Sequence, residues 1–202
     1  MEQYPSIEKQ IQKGKFYLFD KIDGSNIRVE WVRGKGFSKF GTRTRLLDEK
    51  EYPLGEAVAI FNKKYKKDLE NILNKSKYQK ATLFFEFYGE NSFAGNHQDE
   101  EHDLLLIDIY VYKKGMLPPS DFIKLFKNVK HAPMLYYGNV NQEIINSVEK
   151  GVLDGMTFEG VVCKGEQDKY GRTIMFKIKN IQWVQKLKEY CGEDINKFEE
   201  LL

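Results

Sequence analysis

Six short runs constrain this chain most: KFYLFD, NIRVEWVR, ATLFFEFYG, LLLIDIYVY, EGVVCK and TIMFKIK. All are rich in β-branched and aromatic residues and have the length of strands, so sheets supply the scaffold. Helical spacing occurs between them. In PLGEAVAIFNKKYKKDLENILNKS, Leu54, Val58, Phe61, Tyr65, Leu69, Ile72 and Leu73 fall on one face, with Pro53 at the entrance. That spacing predicts one long amphipathic helix. Shorter helices are expected at PSDFIKLFKNV, NQEIINSVEKG, IQWVQKLKEY and DINKFEELL. Strands and helices interleave without regular βαβ units. The expected fold is therefore α+β, one domain over residues 1–202 with mainly antiparallel sheets flanked by helices.

Bulk charge says little, because 32 basic and 30 acidic residues leave a net charge of +2. Local charge says more. Between Trp31 and Leu47 lie Arg33, Lys35, Lys39, Arg43 and Arg45 with no acid among them, which predicts a positive strand-turn-strand surface. Lys63, Lys64, Lys66 and Lys67 read as the solvated face of the helix. Cys163 and Cys191 form neither a metal-ligand spacing nor a disulfide framework, as in a reduced cytoplasmic protein. With no apolar run long enough to cross a bilayer and no signal-peptide core, a soluble monomer is expected.

The chemistry starts at FDKIDGSN. Lys21 ends a strand-like run, and Asp23-Gly24 is a turn signal that reverses the chain into NIRVEWVR. Such a lysine is reachable yet held by a sheet, so it can serve as a nucleophile. An amine attacks only when unprotonated, so neighbouring cations, a metal or partial desolvation must lower its pKa. In TIMFKIKN, Ile174, Phe176 and Ile178 alternate with Lys177 and Lys179, which buries the first set and projects two lysines from the other face. Two adjacent cations suit an anion. Glu159 begins the run EGVVCK and Lys164 ends it; a carboxylate beside lysines suits Mg²⁺, which needs only one or two protein carboxylates plus phosphate oxygens. A lysine nucleophile, a metal carboxylate and paired phosphate-binding lysines describe nucleotidyl transfer.

In this order KIDG, FFEFYGENSFAG, LLLIDIYVY, EGVVCK and FKIK resemble motifs I, III, IIIa, IV and V of the covalent nucleotidyltransferases, from about Tyr4 to Asn180. YPSIE, GSN and KIKN are most similar to the phage-type RNA ligases. The resemblance implies an adenylation domain that uses ATP and Mg²⁺ or Mn²⁺, and RNA with 5′-phosphate and 3′-hydroxyl ends as partner. It implies Lys21 as the residue that carries AMP and Asp23 as the motif I acid. Glu86, with Glu90 as alternative, would bind ribose hydroxyls. Arg43, with Arg45 two along on the same strand face, would contact the nucleotide or RNA end. Glu159 would hold the metal, Lys177 and Lys179 the α-phosphate, and Lys164 a further phosphate oxygen. Where relatives stack an aromatic ring on adenine, this chain offers Leu106 or Ile107. A compact DNA ligase, in which Arg28 mimics the arginine after motif I, and an inactive RNA-end binder are the alternatives. The short stretch after Lys179 leaves no room for an oligonucleotide-binding barrel, so Lys9, Lys13 and Lys15 become candidates for orienting pyrophosphate. A viral or phage origin, acting in the host cytoplasm, fits the resemblance. The loop GNHQDEEHD, with His97, Asp99 and His102, reads as an acidic solvated loop rather than a metal site. His131 reads as structural, and Phe84, Phe85, Phe87 and Tyr88 as core.

Overall fold

Each of the six β-rich runs becomes a strand in the computed structural model of the chain, which describes residues 1–90, 99–168 and 172–202. The first half contains β1 (Lys15–Lys21), β2 (Ser25–Val32), β3 (Gly36–Gly41), α1 (Glu56–Lys64), α2 (Lys66–Lys75), β4 (Lys80–Tyr88) and β5 (Asp103–Val111). The second contains β6 (Gly115–Met116), α3 (Pro119–Leu125), β7 (Met134–Asn139), α4 (Gln142–Glu149), β8 (Gly160–Gln167), β9 (Thr173–Lys179), α5 (Ile181–Cys191) and α6 (Ile195–Leu201). Among the described residues the strands form two antiparallel sheets, ordered β7-β1-β8-β9 and β3-β2-β4-β5-β6, with six helices around them. The expected α+β class is the observed one, and no closed barrel is present among the described residues.

The largest core lies on the five-stranded sheet. Ile27, Val29 and Trp31 of β2 and Leu83 and Phe85 of β4 pack with Phe61, Leu69 and Leu73 from the helices above. A second cluster joins Leu18, Val161, Cys163, Phe176 and Ile178 of the four-stranded sheet to Val148 of α4. A third, smaller one surrounds Trp183, Leu187 and Cys191 in α5. Both cysteines are free and buried. No helix of the described residues is long and apolar enough to cross a membrane.

Three details differ from the sequence reading. The long helix is two, because Tyr65 leaves helical geometry at φ −122° while its hydroxyl donates to the Leu104 carbonyl at 2.6 Å. Its ring meets Phe85 edge-on, so anchoring to the sheet prevails over helix continuity. MLYYGN, unassigned from sequence, pairs with β1 as an edge strand. Ile174 is 48 % exposed rather than buried, since α4 packs on Phe176 and Ile178 further along β9.

Candidate active site

Strand register assembles the site. Lys21 pairs with Gly160, and Gly160 pairs with Lys179, so the three stand level on adjacent strands. The two lysines are therefore two strand spacings apart, about 10 Å between backbones, with no side chain between them. Glu159, one residue earlier, fills the gap with its carboxylate. Its Oε1 lies 2.8 Å from Lys21 Nζ and also accepts from Lys179 Nζ. Lys177 sits on the same face of β9, opposite Val162.

Two glycines make this packing possible. A Cβ on Gly24 would stand 2.3 Å from the Phe87 carbonyl, so only glycine lets the turn after Lys21 press against β4. That contact brings Glu86, in the other sheet, up to the lysine. Gly160 adopts φ +137°, and a Cβ there would meet the Ile178 carbonyl at 2.1 Å. The glycine of KIDG and the glycine of EGVVCK are thus demanded by close backbone approach.

Between the sheets lies a cavity of about 800 Å³. Lys21, Asp23, Glu86 and Glu159 line it, as do Lys177 and Lys179. Arg43, Ile107 and Lys164 complete the set of expected residues at its wall. Burial pushes Glu86 up to about 8, helped by Glu159 and Asp23 and opposed by Lys21. Burial also presses Lys177 and Lys179 down to about 8, with the Lys21 charge adding to the effect. Glu159 goes the other way: burial lifts it, but Lys21 and Lys179 hold it below the usual carboxylate range. Lys21 corrects the sequence reading. Burial depresses its amine, yet Glu159, Glu86 and Asp23 outweigh that and hold it above its ordinary value. With protein groups alone it is an ammonium clamped to a carboxylate, and attack requires that clamp to be relieved.

The family model for RNA ligases matches residues 14–179, most of the chain and all of this geometry. The chain belongs to the RNA ligase family. No curated protein matches it. Solved structures of Naegleria gruberi RNA ligase share the fold. One with pyrophosphate superposes at a TM-score of 0.65 and 22% identity, covering 87% of this chain and 52% of that one. One of a lysine-to-alanine mutant with ATP and manganese gives 0.64 and 21%, covering 85% and 51%. One of a glutamate-to-alanine mutant with AMP and manganese gives 0.65 and 20%, covering 91% and 59%. The chain spans about half the length of the first of these ligases.

Other expected positions of this RNA ligase family member are sorted by their contacts. β3 ends at Gly41, so Arg43 and Arg45 lie in the bend after it instead of on a strand face. Arg43 lines the cavity, whereas Arg45 turns out to pair with Glu51. Lys164 is buried and already engaged at the cavity wall: its ammonium donates to Asp108 Oδ2 at 2.7 Å and to the Ile107 carbonyl at 2.8 Å. Glu90 is exposed and is not itself among the lining residues, although its neighbour Gly89 is. Arg28 is buried and donates to the carbonyls of Thr42 (2.6 Å) and Glu2 (3.0 Å), a structural tie. Lys9 pairs with Glu199 at 2.7 Å, while Lys13 and Lys15 are exposed outside the cavity lining. His102 meets Glu56 at 2.7 Å and Asp103 pairs with Lys64 and Lys130; His97 and motif III residues 91–95 lie outside the described residues. No group that could hold a metal through three His, Cys, Asp or Glu side chains occurs among the described residues. His131 packs edge-on against Phe122.

Sequence reasoning missed two contributors. Asp108 holds both Lys164 and the Tyr4 hydroxyl (3.0 Å), and the signal was an acid inside the apolar run LLLIDIYVY. Trp183 lies under Lys179, with the ammonium 3.8 Å from the ring centroid.

Proposed function

We propose that the protein is an ATP-dependent RNA ligase working through AMP bound covalently to Lys21. The observation that carries this reading is the level row of Lys21, Gly160 and Lys179 bridged by Glu159 in a nucleotide-sized cavity. The family match and the ATP, AMP and pyrophosphate held by structurally similar ligases support it.

The Glu159 carboxylate is a hard oxygen donor beside a phosphate-sized cluster of lysines, a setting that fits Mg²⁺ or Mn²⁺, which needs only one or two protein carboxylates plus phosphate oxygens. Bound there, the cation supplies positive charge that competes with the Lys21 ammonium for Glu159 and offsets phosphate charge. The chain's own residues then do the following. Lys21 gives its proton to solvent through the open cavity; its Nζ forms a bond to the α-phosphorus of ATP as the bond to the pyrophosphate oxygen breaks. Lys177 and Lys179 hold the α-phosphate oxygens as their charge grows. Glu86 faces the ribose hydroxyls, Asp23 fixes the turn beside Lys21, and Ile107 packs on the adenine. Arg43, at the wall, meets the triphosphate or the incoming RNA phosphate. A 5′-phosphate of RNA next takes AMP from Lys21, breaking the P–N bond. Finally a 3′-hydroxyl attacks that phosphate, forming the phosphodiester and releasing AMP.

Intact-protein mass after incubation with ATP and Mg²⁺ tests the first step. The parent gains one AMP, and Lys21→Ala and Lys21→Arg gain none; an adduct on either variant refutes the assignment. Joining nicked RNA in preference to nicked DNA tests the substrate, and the reverse preference refutes the RNA reading.

A further inference from the structure

The family match stops at residue 179, and α5 and α6 follow immediately after it. The junction is built tightly. The Asn180 amide donates to the Glu159 carbonyl at 3.0 Å, and its side chain accepts from the Gln182 amide at 2.7 Å, capping α5. The cap starts α5 directly after β9, and its first turn carries Trp183 to the Lys179 side chain. Trp183, 2 % exposed, thereby meets the Lys179 ammonium face-on at 3.8 Å and also contributes to the cavity wall.

A lysine head on a four-carbon stem has wide rotational freedom. Here it lies between a carboxylate and an indole. Glu159 draws it toward Lys21, and the negative ring face supports it from α5. We propose that Trp183 is a positioning residue for lysyl adenylylation, its indole face holding the Lys179 ammonium in line with the phosphate seat. This rests on the reading of Lys179 as a phosphate-holding lysine. Trp183 also packs with Leu187, Cys191, Phe158 and Phe198, so the test has to separate its packing from its contact with Lys179.

The test measures the rate of AMP-adduct formation against ATP concentration, with Mg²⁺ at neutral pH and on the full chain, so that the maximal rate is separated from KM for ATP. Trp183→Leu is expected to lower the maximal rate about tenfold, with KM for ATP changed less than about threefold. Trp183→Phe keeps a π face and restores most of the rate. Leu187→Ala, a packing loss in the same cluster, lowers the melting temperature but leaves the maximal rate near the parental value. If Trp183→Leu does not fold, Trp183→Met provides the same comparison. A parental maximal rate in the Leu or Met variant, or a Phe variant no better than either, overturns the proposal. Lys179→Ala separates the two failures: parental adduct formation there overturns the reading of Lys179 and this proposal together. A dead Lys179→Ala beside a parental Trp183→Leu overturns the Trp183 assignment alone.

Discussion

Glu159→Gln removes one charge from the centre of the site while keeping its shape nearly unchanged. Glu159 is 4 % exposed and meets two ammonium groups, Lys21 at 2.8 Å and Lys179. Stranding a charge by deleting its buried partner typically destabilises by about 3–5 kcal/mol. A stranded lysine, however, can release its proton. Lys179 is already brought down to about 8 while Glu159 supports its charge and falls further without that support, so in the variant it sheds its proton near neutral pH at small cost. Lys21, 21 % exposed, reaches water. The destabilisation should therefore settle at about 2–3 kcal/mol at neutral pH.

Its pH dependence has a definite sign. In the parent, the depressed Glu159 stabilises above the unfolded carboxylate range and loses that as pH falls through its folded value. The raised Lys21 stabilises below the unfolded lysine value and loses that only as pH rises through its folded value. In the variant both lysines become depressed, so their penalty is full at neutral pH and fades as pH climbs toward the unfolded lysine value near ~10.4. Urea unfolding followed by tryptophan fluorescence at about pH 7 and about pH 9 measures the gap. It should narrow with pH. Equal stabilities at neutral pH, or a gap that widens on the alkaline side, refute the view that one carboxylate balances both lysines. AMP-adduct formation should be lost in this variant at either pH.

Glu86→Gln should do the opposite to stability. The Glu86 carboxyl is raised to about 8, so its penalty is absent below the unfolded value near ~4.3, grows with pH and is full above the folded value. The amide should stabilise by about 2 kcal/mol near pH 8 and by little in acid, read from melting temperature against pH; equal melting at both extremes refutes the shift. Gly160→Ala, whose Cβ would lie 2.1 Å from the Ile178 carbonyl at φ +137°, should destabilise by about 3 kcal/mol or more and abolish the adduct. A soluble, active alanine variant refutes the packing argument. Arg43→Ala should weaken adduct formation or RNA joining at least tenfold, as expected for a lost charge contact, whereas Arg45→Ala should leave both at the parental level. Equal effects from the two changes would remove the distinction drawn from their contacts.

Much of this was legible in the chain. Alternation in TIMFKIKN put Lys177 and Lys179 on one face because a pleated strand has a period of two, and that reasoning needs no partner strand. The same local logic read the turn after Lys21 and the α+β scaffold. It failed where a distant contact prevailed over local preference. Tyr65 breaks a periodic helix to reach Leu104, and Arg43 and Arg45 part because β3 ends at Gly41. The Asp108 partner of Lys164, which comes from the opposite sheet, was likewise out of reach of local pattern.

The order of KIDG, EGVVCK and FKIK singled out the side chains that the fold gathers at one cavity, since each sits in a segment whose pattern stands on its own. Only the tertiary structure decided their charge states. Lys21 is raised and Lys179 depressed although both are lysines in register with the same glycine, because three carboxylates crowd the first and burial dominates the second. Desolvation and Coulomb energy depend on distances across strands and between sheets. Those distances are set by register and by the close approaches at Gly24 and Gly160, which no single segment encodes.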